Sequence, residues 1–272
     1  MPATPAQLLT VSLVAAAGSV VNSIAGGGTL LTFPALVGLH IPPLVANATS
    51  TVALVPGALG SLAGYREEVA GARSWVVRFA APSVLGGLTG AYLLLITPAA
   101  RFDALVPWLV LGATLLFMAR GPAMRLAAWH RARAARSAPG PAVAREAADA
   151  GALPPPRWPL LLFQFFVAVY GGYFGAGIGI LMLAALGFMG LTNIHQMNGL
   201  KNWGGACTNF VAALAFAASS IVDWPVALAM AAGAVVGGYG GSRLAQRVGQ
   251  TIVRRAVVCI GLASAVWLFA TR

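Results

Sequence analysis

Residues 22–34 read Asn-Ser-Ile-Ala-Gly-Gly-Gly-Thr-Leu-Leu-Thr-Phe-Pro, and residues 173–185 read Tyr-Phe-Gly-Ala-Gly-Ile-Gly-Ile-Leu-Met-Leu-Ala-Ala. Each stretch sets a glycine cluster between two apolar segments, at roughly 6–24 and 28–39 in the first case and 158–175 and 179–190 in the second. The segment that follows each cluster holds only twelve residues. As a helix it rises about 18 Å, too little to cross a hydrocarbon core of about 30 Å. The spacing therefore predicts a broken or re-entrant pair of helices at the start of each half, not two full crossings.

Working outward, further apolar segments lie at about 44–64, 74–97 and 102–119, and again at 195–216, 224–246 and 252–270. Most are near the ~20 residues that a membrane-crossing helix needs. They are continuous rather than alternating, which argues against strands of a membrane barrel. Of the 272 residues 59% are hydrophobic and 8% charged, where a soluble domain carries about a quarter charged. The fold class expected is an all-α polytopic membrane protein with two homologous halves of about four to five membrane segments each. Its organisation is a first repeat over 1–120, a basic loop over 121–157 and a second repeat over 158–272.

The halves align at a constant offset of 151. Ala25, Gly26, Gly28 and Leu30 fall on Ala176, Gly177, Gly179 and Leu181; Asn47 falls on Asn198; Gly86, Gly87 and Gly90 fall on Gly237, Gly238 and Gly241. Internal repeats of this kind are characteristic of transporters. Charge then orients them. The 17 Lys+Arg residues stand against 6 Asp+Glu. Three basic residues fall in 66–78, seven in 120–157 and four in 243–255, fourteen in all. If these stretches are cytoplasmic, both termini are periplasmic and equivalent turns face opposite sides, an inverted repeat. Because the charges avoid the apolar segments, they predict a membrane protein and not a nucleic-acid-binding face. Cys207 and Cys259 are isolated, so no disulfide framework or metal site is expected.

The candidate site comes from polar and glycine residues inside these segments. Glycines let backbone N–H groups approach a ligand, and a helix N-terminus attracts anions. Asn22, Gly26, Gly27, Gly28 and Thr29 open one short helix, and Gly177 and Gly179 open the other. Asn47, Ser50 and Thr51 lie at i, i+3 and i+4 and share a helix face. Their repeat partners are Asn198, Lys201 and Asn202, and Asn209 extends that second face. For the amides and hydroxyls, interhelical hydrogen bonding is as good a reading as ligand contact. Lys201 is the only lysine in the chain, and a cation inside a membrane segment points to function; snorkelling to the interface is the competing account. His195 reads as an interface residue.

The chain carries no G-x-x-x-x-G-K-[ST] and no H-E-x-x-H. It has no paired carboxylates in a membrane segment and no Ser/His/Asp set, so neither an enzyme nor a bound cofactor is expected. The run from Gly26 to Pro34, followed by Asn47-Ala48-Thr49-Ser50, resembles the TauE/SafE-type sulfite exporter family, over nearly the whole chain outside 120–157. The resemblance implies a multi-pass permease of a bacterial inner membrane for sulfite, sulfonates or related anions, working by alternating access. The second half departs from the first: Ile178, Ala185 and Lys201 stand where Gly27, Pro34 and Ser50 do, which predicts an asymmetric site. The partners expected are a small anion and the lipid bilayer, with no nucleic acid and with a homo-oligomer left open. Import of the same anions, or a scaffold that docks a cytoplasmic partner through the arginine-rich loop, are the alternatives.

Overall fold

The structure is a computed structural model that describes residues 4–24, 26–63, 72–136, 156, 158–188, 191, 193–244 and 250–271. Among the described residues every regular element is helical. The first half holds α1 (Pro5–Ile24), α2 (Thr29–Gly38), α3 (Pro43–Ala63), α4 (Arg73–Ile96) and α5 (Ala99–Arg136). The second holds α6 (Trp158–Tyr173), α7 (Ile178–Phe188), α8 (Ile194–Ala217), α9 (Trp224–Leu244) and α10 (Gln250–Ala270). Four windows, Pro5–Ser23, Pro43–Ala63, Ser74–Ile96 and Ala99–Ala119, are long and apolar enough to span a bilayer. The short helices α2 and α7 follow the glycine clusters, as their length predicts. This is a polytopic helical membrane protein.

One boundary differs from the sequence expectation. The stretch read as a loop from 121 continues α5 as helix to Arg136. Between Pro122 and Pro139 the chain is alanine, arginine, leucine and methionine for the most part, all good helix formers, so arginine content signals the end of the membrane and not the end of the helix. At 38 residues the helix rises about 57 Å, well beyond one bilayer core. Residues 137–155, including 138, lie outside the described residues, as do Arg66, Glu67, Glu68, Arg247 and the side chain of His195.

Close glycine contacts fix how the helices run. A Cβ added at Gly233 would meet Ser12, one at Gly237 would meet Ala16 and one at Gly241 would meet Val20, so α1 and α9 are parallel. Gly57 faces Ala234 and Gly60 faces Tyr239, which makes α3 parallel to α9 as well. On the other side Gly86 faces Phe165 and Gly90 faces Val169, so α4 parallels α6, while Gly204 facing Phe79 and Gly87 facing Thr208 bring α8 into the same direction. Small residues let membrane helices approach this closely. The two groups are opposed. Lys201, early in α8, reaches the end of α1, and Asn47, early in α3, reaches the end of α6. Between α5 and α10, Trp108 stacks edge-on with Phe269 and Gly261 faces Thr114, an antiparallel pair. Each long helix therefore runs opposite to the one that lies 151 residues later.

Polar ties lock each group. Ser23 and Ser61 share a hydrogen bond and both hydroxyls reach the Gly238 carbonyl, joining α1, α3 and α9. Gln164 donates to Ser83 at 2.9 Å, and Thr208 donates to the Ser83 carbonyl, joining α4, α6 and α8. In hydrocarbon such groups have no water to turn to.

Candidate functional site

Two helical hairpins meet tip to tip. Gly26, after α1, and Gly177, after α6, are 151 apart and both adopt left-handed backbone, with φ of 80° and 81°. L-residues avoid that region and glycine does not, so the chain can leave each long helix and turn into the short one. A Cβ on Gly26 would lie 2.8 Å from the Gly179 Cα, and the reverse distance is the same. The first tip thus touches the start of α7 backbone to backbone.

Lys201 sits at this junction, only 3% exposed. Its Nζ donates to the carbonyls of Asn22 at 3.2 Å and Ser23 at 3.4 Å. These are carbonyls at the C-terminus of α1, the negative end of a helix dipole, where a cation is stabilised. The sequence offered snorkelling as the alternative for this residue; the ammonium instead turns inward. The N-terminus of α7 adds its positive end beside it, through Ile178 and Gly179. Asn202, 9% exposed, has an Nδ2 with no hydrogen-bond partner. Asn22, Gly26, Gly179, Lys201, Asn202 and Asn209 all line one cavity, and Ala58, Ser61, Ile178, Gly205 and Ala206 complete its wall. The volume open to the centre of a water molecule is about 20 Å³, room for about one water.

Eight of the residues singled out from sequence stand outside that wall. Gly27 packs against the Phe117 ring and Gly28 against the Gly18 backbone. Gly177 approaches Ala113, and Thr29 lies near Gly175. Asn47 Nδ2 donates to the Tyr173 carbonyl at 2.9 Å, Ser50 shares a 2.7 Å hydrogen bond with Thr32, and Thr51 donates to the Asn47 carbonyl. Asn198 is buried with Oδ1 unpartnered. Tyr173 is 151 residues after Asn22, so Asn47 does for the end of α6 what Lys201 does for the end of α1. Ser61 was the polar residue missed. It prolongs the Asn47–Ser50 stripe along α3, three turns beyond Ser50, and following that stripe to the end of the helix would have found it. Among the described residues no group of three His, Cys, Asp or Glu could hold a metal, and Cys207 and Cys259 are free thiols.

A multi-pass helical bundle whose broken helices converge on a buried, cationic, polar cavity is the architecture of a membrane transporter. The profile of the family described as "Sulfite exporter TauE/SafE" matches residues 11–268. The chain belongs to that family. A "Probable membrane transporter protein" of Haemophilus influenzae is 27% identical over 88% of this chain and 86% of its own length. "Probable membrane transporter protein ORF9" of a Sinorhizobium species is 28% identical over 92% and 87%, and "Probable membrane transporter protein YfcA" of Escherichia coli K12 is 26% identical over 94% and 87%. No solved structure matches. The chain is a multi-pass inner-membrane transporter and not an enzyme.

Proposed function

We propose that this transporter exports small sulfur-containing anions, sulfite or organosulfonates, by alternating access between two inverted repeats and without a coupling ion. The observation that carries the reading is the setting of Lys201. The only lysine of the chain is buried where the end of α1, the start of α7 and the unpaired Asn202 amide converge. An ammonium, a helix N-terminus and an amide N–H are all donors to negative charge. The opposed directions of equivalent helices support the inverted repeat. The small cavity supports alternating access, because an anion larger than water enters only when the hairpin tips part. The family description favours sulfite and export. The membrane potential, negative inside, favours the exit of an anion by about 2.3 kcal/mol per charge per 100 mV, so no second ion is required.

The test is purified protein in proteoliposomes loaded with sulfite or methanesulfonate, under a potassium–valinomycin potential. Efflux should accelerate when the interior is negative and should persist without a proton or sodium gradient. Flux that ignores the potential and stops when the proton gradient is collapsed would overturn the uncoupled mechanism.

A further inference from the structure

We infer that Gly205 sets the bulk of the anion carried, by leaving on α8 a hollow for the part of the molecule that bears no charge; this rests on the transport reading above. Lys201, Asn202, Gly205 and Asn209 stand at i, i+1, i+4 and i+8 of α8, a spacing that keeps them on one helix face, and all four line the cavity. Gly205 lies one turn beyond Asn202 and one turn before Asn209. A Cβ built on it meets nothing within 4 Å among the described residues. Its neighbour Gly204 is different: a Cβ there would crowd Gln164, Met182 and Phe79 at 3.3 and 3.4 Å. Close packing therefore accounts for Gly204 and not for Gly205.

Glycine is the costliest residue after proline in a helix interior, so its place here needs a reason. The repeat supplies none, because the residue 151 positions earlier is Leu54, a buried member of the core in α3. Where backbone faces a cavity, a missing side chain lets a ligand approach closely. The apolar part of the wall comes from Ala58, Ile178, Ala206 and Gly205 itself. One turn away, the Asn202 Nδ2 has no hydrogen-bond partner. An anion whose oxygens lie at Asn202 and the start of α7 turns an attached alkyl group toward Gly205. The hollow is carried by α8 alone, so it persists when the hairpin tips part to admit the anion. A side chain at 205 would take the place of that group: a methyl removes room for about one carbon, and the leucine of the first half would fill the hollow.

The experiment compares methanesulfonate with 1-propanesulfonate, which has the same head and a longer chain, in proteoliposomes of the original protein and of Gly205→Ala. The original protein should carry both. In Gly205→Ala the ratio of propanesulfonate to methanesulfonate flux should fall about tenfold or more, the discrimination that one methylene supports in an apolar pocket, and in Gly205→Leu it should fall further. Gly205→Ala should also unfold in detergent at the same or a higher temperature, since its methyl meets open space and alanine favours the helix. An original protein that already excludes propanesulfonate would show that there is no hollow to fill. An unchanged ratio, or loss of both fluxes together from folded Gly205→Ala, would overturn the role of Gly205 while leaving the transport reading intact. A lower unfolding temperature, or a Gly205→Ala protein that does not fold, would make Gly205 a packing residue and overturn that role as well. No flux of either sulfonate, nor of sulfite, through folded original protein would overturn the transport reading and this inference with it.

Discussion

Replacing Lys201 by Met keeps a flexible, unbranched side chain and deletes the charge. In the ligand-free protein the hydrogen bonds that the substitution removes from the α1 carbonyls are long, at 3.2 and 3.4 Å, so they sit at the low end of the ~1.5–3 kcal/mol range for such bonds. The variant also relieves the desolvation of a buried ammonium, which offsets much of that loss. The loss of these α1 contacts alone should therefore change ligand-free stability little. Anion binding is a different matter. Truncating one partner of a buried charge pair costs about 2–5 kcal/mol, which raises Kd by about 30-fold to several thousandfold. The assay is thermal unfolding in detergent with and without methanesulfonate. At a concentration of about 100 times the Kd of the original protein, the anion stabilises by about 2.7 kcal/mol. With Kd raised 30-fold the same concentration yields about 0.9 kcal/mol or less. Lys201→Arg should fall between the two, since it keeps the charge but spreads it over a planar fork. A Met variant that shows the full anion-induced shift would refute the assignment of Lys201 to the site and leave recognition to the α7 backbone and the amides.

Three further predictions bear on the hairpin tips and the topology. Gly26→Ala meets both a left-handed φ and the Gly179 Cα at 2.8 Å, whereas Gly179→Ala meets the Gly26 Cα and the Lys201 side chain but no left-handed φ. The first should cost about 1–2 kcal/mol more than the second, and equal losses in denaturation would disprove the role given to the backbone. A Cβ at Gly27 runs into the Phe117 ring, so Gly27→Ala alone should destabilise by about 1–3 kcal/mol, and Phe117→Leu in the same chain should recover part of that. A double-mutant cycle with no coupling would show that the clash is relieved elsewhere. After replacement of Cys207 and Cys259 by Ala, single cysteines at Arg133 and Thr271 should react with an impermeant maleimide from opposite sides of the membrane; labelling from one side would refute the inverted arrangement.

The breaks at Gly26 and Gly177 were legible because two signals agreed there: a glycine cluster and a following segment too short to span. The close helix contacts at Gly86 and Gly90 of α4 and at Gly237 and Gly241 of α9 were legible as clusters of small residues, which recur where membrane helices touch. The cavity wall was legible only in part. Asn47, Ser50 and Ser61 lie on one stripe of α3, yet only Ser61 reaches the cavity. Spacing places residues on a common face, and it is silent about how far along the helix the opposing tip makes contact. Lys201 was found because its charge has no cheap alternative in a membrane. The continuation of α5 to Arg136 was not, because hydropathy records where lipid ends and leaves helix termination to propensity.

The partners of α1 and α6 carry a further meaning. The glycine-lined face of α9 receives α1, and that of α4 receives α6, so the first helix of each half docks on the fourth helix of the other. Neither half contains the surface that its own leading helix fits. A polypeptide of half this length would leave that surface bare. A single chain that carries both halves fixes their ratio at one to one and lets the two differ. Lys201 stands 151 residues after Ser50: a cation placed in one half only, which two identical subunits could not carry.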